Sequence, residues 1–232
     1  MRAALESLLR ARKLDVTLPA LGPSGEPLAP DRAAPTGCAA LDAQLGGGLR
    51  RGHLSEIAGA FSSGGTQTMV RLLAAATARG EAVALVDAGD AFDPASAAAH
   101  GVALSQLLWV RVGGECARAL RAYSLVLQAG GFGVAVLDLA DAAPAALRQL
   151  PPTTWLRVAR MVEGRDTVAL LVGRERIARS AGGVTIALEP GSAAWQGSAS
   201  RARVFAGIAM APRVVGGRRA EDGGRRVEDG RK

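Results

Sequence analysis

Lysine is almost absent from this chain of 232 residues, occurring only at Lys13 and Lys232. Lys13 precedes a proline-rich stretch and Lys232 is the last residue, so neither is expected to be anchored at a site in the core. Aromatic residues are 3% of the chain, which leaves Ala, Val and Leu to fill the interior. Two cysteines, Cys38 and Cys116, are too few for a disulfide framework and lack a metal-ligand spacing. No apolar run approaches the roughly 20 residues of a membrane span. The opening MRAALESLLRARKLD has charges within its apolar stretch and no small-residue cleavage site, unlike a signal peptide. A cytoplasmic protein with free thiols is the expectation.

What is present is enough for a real core: 49% of the residues are apolar, which suits one domain with tails. The net charge of +7 is nearly all arginine and is spread along the chain. Attraction to phosphate is compatible with that charge, but composition alone does not establish it.

Residues 1–14 read as a short helix with Leu5, Leu8 and Leu9 on one face. Such a helix is marginal alone in water and must dock on something. Five prolines between residues 15 and 35 make that segment a linker. The core is expected over 36–212. Residues 213–232, rich in Gly and charge, read as a disordered basic tail. Within the core, apolar runs (HLSEIAG, EAVALVDAG, LLWVRV, VAVLDLAD, TVALLVG, GVTIALE, ARVFAGIA) alternate with helical patterns at 66–79, 115–129 and 153–163. Continuous apolar strands separated by helices predict an α/β fold, a mostly parallel sheet flanked by helices on both faces. Ligand chemistry then belongs at the strands' C-terminal ends, in the loops after Ala58, Val86 and Leu137.

The first of those loops is Gly59-Ala60-Phe61-Ser62-Ser63-Gly64-Gly65-Thr66. It has the spacing of a GxxxxGK[ST] phosphate loop, in which backbone N–H groups surround phosphates, a lysine reaches the β/γ oxygens and a hydroxyl holds Mg²⁺. Here glycine stands at the lysine position. The ordered run TGCAALDAQLGGGLRRGHLSEIAGAFSSGGTQTM, VALVDAGDAFDP, GVALSQLLWVRV and VAVLDLAD resembles the RecA core over roughly residues 36–190. The resemblance implies a RecA-like P-loop NTPase core. It puts Thr66 at the Mg²⁺ hydroxyl and Asp138 at the acid ending the Walker B strand. It also puts Gly65 at the phosphate lysine, Gly89 at the catalytic glutamate and Ser96 at the adenine-stacking aromatic. Gly59, Ser62, Ser63, Gly64, Gly65, Thr66 and Asp138 thus make a vestigial nucleotide loop with no catalytic residue. No metal and no cofactor are expected beyond weak ATP/Mg²⁺ binding. The loop's glycines are expected to persist because the strand-to-helix turn needs them, and Asp138 reads more readily as a polar strand end than as a Mg²⁺ ligand.

Other residues carry weaker expectations. Arg174, Arg176 and Arg179 sit where RecA-like proteins carry a mobile DNA-contacting loop, and with Arg218, Arg219, Arg225 and Arg226 they are candidate DNA or partner contacts. A solvated hairpin with ordinary surface charge explains the first three equally well. Arg174 or Arg176 is the only conceivable substitute for the missing lysine. His53 and His100 read as structural, Trp109 and Trp195 as packing, and Cys116, at a helix start, as a thiol of lowered pKa. The eroded pocket, N-terminal helix and basic tail together resemble the ImuA family of SOS-mutagenesis proteins. That resemblance implies a non-catalytic accessory role in translesion DNA synthesis. The implied partners are RecA, ImuB and an error-prone DnaE-type polymerase, with single-stranded DNA as a further candidate and no membrane, in the cytoplasm and on the nucleoid when bound. The alternatives are an active RecA/RadA-type DNA-stimulated ATPase and a simple single-stranded DNA-binding mediator.

Overall fold

The computed structural model describes residues 32–151, 153–178, 183–189, 191, 193–197, 203–208 and 211–215. The expected N-terminal helix with Leu5, Leu8 and Leu9, together with Arg179, Arg218, Arg219, Arg225 and Arg226, lies outside the described residues.

Seven strands form the main sheet: β3 (Leu54–Gly59), β4 (Val83–Asp87), β5 (Leu107–Arg111), β6 (Val134–Asp138), β7 (Val168–Gly173), β8 (Thr185–Glu189) and β11 (Ala211–Val215). Their order is β11-β8-β3-β7-β6-β4-β5. All neighbours are parallel except β11, which runs antiparallel to β8. This is the mostly parallel sheet the apolar runs predict. Period-two alternation assigns each strand residue to a face. Val83, Leu85, Val134, Val136, Val168 and Leu170 point into one core, whereas Ala84, Val86, Ala135, Leu137, Ala169 and Leu171 point into the other.

Helices cover both faces. On the first, α1 (Ala39–Leu45) and α2 (Gly65–Ala78) contribute Leu41 and the stripe Met69, Leu72, Leu73, Ala76, a spacing of i, i+3, i+4, i+7. On the second, α4 (Cys116–Ala129) and α6 (Thr153–Val162) bury Ala119, Tyr123, Leu127, Trp155, Val158 and Val162. Burying each large apolar side chain contributes about 1.5–3 kcal/mol. Tyr123, the only tyrosine, sends its hydroxyl between the carbonyls of Ala135 (3.0 Å) and Leu170 (3.4 Å) and so ties α4 to β6 and β7. Two short helices, α3 (Pro94–Ala99) and α5 (Pro144–Arg148), each open on a proline. Asp93 caps α3 by accepting from Ala95 N and Ser96 N.

Three expectations change. The folded region extends beyond 36–212, because β1 (Ala33–Ala34) pairs antiparallel with β2 (Leu49–Arg50) and β11 runs to Val215. ARVFAGIA does not join the main sheet: β10 (Val204–Ile208) pairs with β9 (Ala193–Gln196) in a two-stranded sheet. Trp195, on β9, is 54% exposed, more than a buried packing residue would be, whereas Trp109 packs edge-on against Phe92. Among the described residues no helix is long and apolar enough to cross a membrane.

Candidate functional site

The phosphate-type loop lies where the topology predicts it, between the C-terminal end of β3 and the first turn of α2. Two of its glycines are required. A Cβ at Gly59 would lie 2.8 Å from Leu188 Cβ and 2.9 Å from Leu188 O, so β8 can pair with β3 there only because no side chain intervenes. Gly64, with φ of 96°, turns the chain into the helix through the left-handed region. Ser62 is also left-handed, at φ 60°. The Ser63 hydroxyl is buried with no hydrogen-bond partner.

Gly65 is different, which corrects the expectation that the turn accounts for every glycine of the loop. Its φ is not positive, it occupies the first position of α2, and a Cβ there would meet nothing nearer than Val172 Cγ1 at 4.0 Å. Neither backbone geometry nor space demands glycine at this position.

The cation that approaches the loop is Arg174, just beyond β7. Its guanidinium carbon lies 3.4 Å from the centre of the Phe61 ring, at the tip of the loop. It also pairs with Asp141, Nη2 to Oδ1 at 3.1 Å, while its Nε has no acceptor. Asp141 in turn occupies the side-chain space of Gly89: a Cβ at Gly89 would lie 2.6 Å from Asp141 Cβ. The position where the family resemblance expects a carboxylate thus has no side chain, and the carboxylate that closes over it is already paired with arginine. Asp90 does not fill the role either. It turns outward, in left-handed conformation, into a two-point contact with Arg111 (2.6 and 2.7 Å).

Two further acids stand at the ends of neighbouring strands. Asp87 and Asp138 are cross-strand partners at the ends of β4 and β6. Asp87 is buried and accepts from Ala91 N, Phe92 N and Trp109 Nε1, so it serves to hold the following loop. Asp138 accepts from Ala140 N at 2.9 Å; burial, with Asp87 and Asp141 nearby, pushes its pKa up to about 6. Thr66 is exposed on the first turn of α2. Backbone N–H groups at the α2 N-terminus can still face an anion. The side chains, however, offer a triphosphate little positive charge, because Gly65 has no side chain and Arg174 is already paired with Asp141.

The loop after β7 is held from beneath by a residue the sequence reading passed over. Glu56, on β3 and 2% exposed, accepts from Ile177 N (3.0 Å), Ala178 N (2.9 Å) and Thr185 Oγ1 (2.8 Å). Arg176 faces the same carboxylate at 3.8 Å. The only signal was an acidic residue inside an apolar strand, HLSEIAG. Of the expected arginine contacts, Arg174 and Arg176 are therefore both turned to the chain's own acids. His53 and His100 each place Nδ1 against a nearby carbonyl, of Arg51 and Ser96. Cys116 corrects another expectation: burial pushes its thiol pKa up, outweighing the helix start.

Comparison with known proteins agrees with the fold. Residues 26–148 match the RecA N-terminal domain. Protein RecA of Methylococcus capsulatus is 42% identical over 105 residues, which are 45% of this chain and 30% of the relative. Protein RecA of Thermus thermophilus is 37% identical over 139 residues, 59% of this chain and 41% of the relative. The chain therefore spans less than half the length of these curated relatives.

Proposed function

Because this chain belongs to the RecA N-terminal domain family, we propose that it is a RecA-like accessory protein that binds partners and does not turn over ATP. The pathway we propose is SOS-induced mutagenesis and translesion DNA synthesis, with RecA and ImuB as direct partners and an error-prone DnaE-type polymerase beside them. One observation carries the loss of turnover: Gly65 opens on unused space, while Arg174, the cation beside the loop, is already spent on Asp141 and Phe61. Without a lysine at the β/γ oxygens the developing charge has no preorganised partner, and removing one such donor typically costs about 3–4 kcal/mol of barrier. With Gly89 supplying no carboxylate, water activation is lost as well. The pathway rests on the ImuA-like combination of eroded pocket, expected N-terminal helix and basic C-terminal segment.

The purified chain should release no phosphate from ATP above background, with or without single-stranded DNA. It should also retain RecA and ImuB in pull-downs with purified proteins. Failure to bind either would sink the assigned pathway, and steady hydrolysis would sink the non-catalytic reading. A competing account is an ATPase that uses Arg174 in place of lysine; it requires Arg174 to leave Asp141 and Phe61 and turnover abolished by Arg174→Ala.

A further inference from the structure

Helices α4 and α6 lie side by side over one face of the sheet, and their sequences, CARALRAYSLVLQA and TTWLRVARMV, contain four arginines and no acidic residue. Their buried stripes face the sheet. The next flank of each helix, one turn around, is left facing its neighbour: Arg121, Ser124 and Gln128 on α4, and Thr154, Arg157 and Met161 on α6. Between them runs an open groove of about 520 Å³ whose floor includes Leu120, Val158 and Met161 and whose rim carries Arg121 and Arg157. Leu125, which also lines it, is 66% exposed. Arg118 and Arg121 share one carboxylate, Glu115, at 2.8 and 3.5 Å. Among the described residues, Arg157 and Arg160 have no acidic partner.

We infer that this groove docks an acidic amphipathic helix of a partner protein. Apolar residues at i, i+4 and i+7 would settle on the leucine and methionine floor, and flanking carboxylates would meet Arg121 and Arg157. Charge selects this occupant over the others. A second copy of the chain docking by the same face would oppose arginine to arginine. The chain's own segment 1–14 carries four basic residues and one acidic, and 213–232 carries seven basic and four acidic, so both have the sign of the rim. Nucleic acid would satisfy the arginines but leave Leu125 in water, and no aromatic side chain lines the groove to stack a base. The groove lies on the helix-covered face rather than at the strand ends, so this inference stands whether or not the phosphate loop is catalytically silent.

The test uses fluorescence anisotropy with the full chain and two labelled 16-residue helical peptides. Both have leucine at i, i+4 and i+7; one carries glutamate at the remaining exposed positions and the other lysine. The acidic peptide should bind saturably and the lysine peptide should not. Arg121→Glu/Arg157→Glu should weaken the acidic peptide at least about tenfold and admit the lysine peptide instead. Leu125→Glu should also weaken the acidic peptide, and a single-stranded oligonucleotide should not displace it. These side chains are exposed, so an unchanged melting temperature is expected; Arg157→Ala and Leu125→Ser provide milder versions if a variant fails to fold. No saturable acidic-peptide binding, equal affinity for both peptides, indifference to the substitutions, or displacement by the oligonucleotide would each overturn the inference.

Discussion

Gly65→Lys tests the reading of the pocket most directly, because the structure specifies what the new side chain should meet. The position is the first of α2, its φ is ordinary, and a Cβ finds nothing within 4.0 Å except Val172 Cγ1 at that distance. The substitution should therefore fold without strain. Exchanging glycine for a better helix former should add up to about 1 kcal/mol of stability. An ammonium placed over the loop adds a charge-assisted contact to phosphate worth roughly 1.5–3 kcal/mol, so affinity for Mg²⁺-ATP should rise about 10- to 150-fold. Differential scanning fluorimetry reads both effects. At nucleotide a hundred times its Kd the stabilisation is about 2.7 kcal/mol, which is a rise of about 5–10 °C in Tm for a chain of this size. The wild-type protein should show little shift at the same concentration. A drop in Tm without nucleotide would mean the space beside Val172 is not open. Equal nucleotide shifts in both proteins would mean the site already has its cation, and no shift in the variant would mean that lysine is not what the pocket lacks.

Three further outcomes follow from individual contacts. Gly89→Glu should cost about 1–3 kcal/mol by urea denaturation, because its Cβ collides with that of Asp141, and Asp141→Gly should recover most of the loss. Tyr123→Phe should lower stability by about 0.5–1.5 kcal/mol by removing the hydroxyl's link to Ala135 and Leu170 without opening a cavity. Asp138→Asn should stabilise the protein at neutral pH. Burial raises the folded-state pKa of Asp138 from 3.8 to about 6, so its proton's contribution is complete below about pH 4 and is lost as pH rises through 6. Urea midpoints should show a gain for the variant of up to roughly 2–3 kcal/mol at pH 7.5 that fades toward pH 4; a gain that grew toward low pH would refute the assignment.

The sheet and the loop were legible in the amino-acid order because they depend on local rules. Runs such as VALVD and VALLVG have no polar face to give to water, so they must be buried on both sides. The phosphate-type turn is spelled by adjacent residues, and the absence of lysine at position 65 can be read directly. What only the tertiary structure decided are contacts between residues distant in the chain. Arg174 meets Phe61 and Asp141 because β7 lies between β3 and β6 in the sheet order, which no spacing in the sequence encodes. Asp141 takes the space beside Gly89, and Glu56 holds the backbone of Ile177 and Ala178 some 120 residues further on. Cys116 is the same lesson in reverse: the helix start was visible in the sequence, but the burial that dominates its thiol was set by the packing of α4 on the sheet.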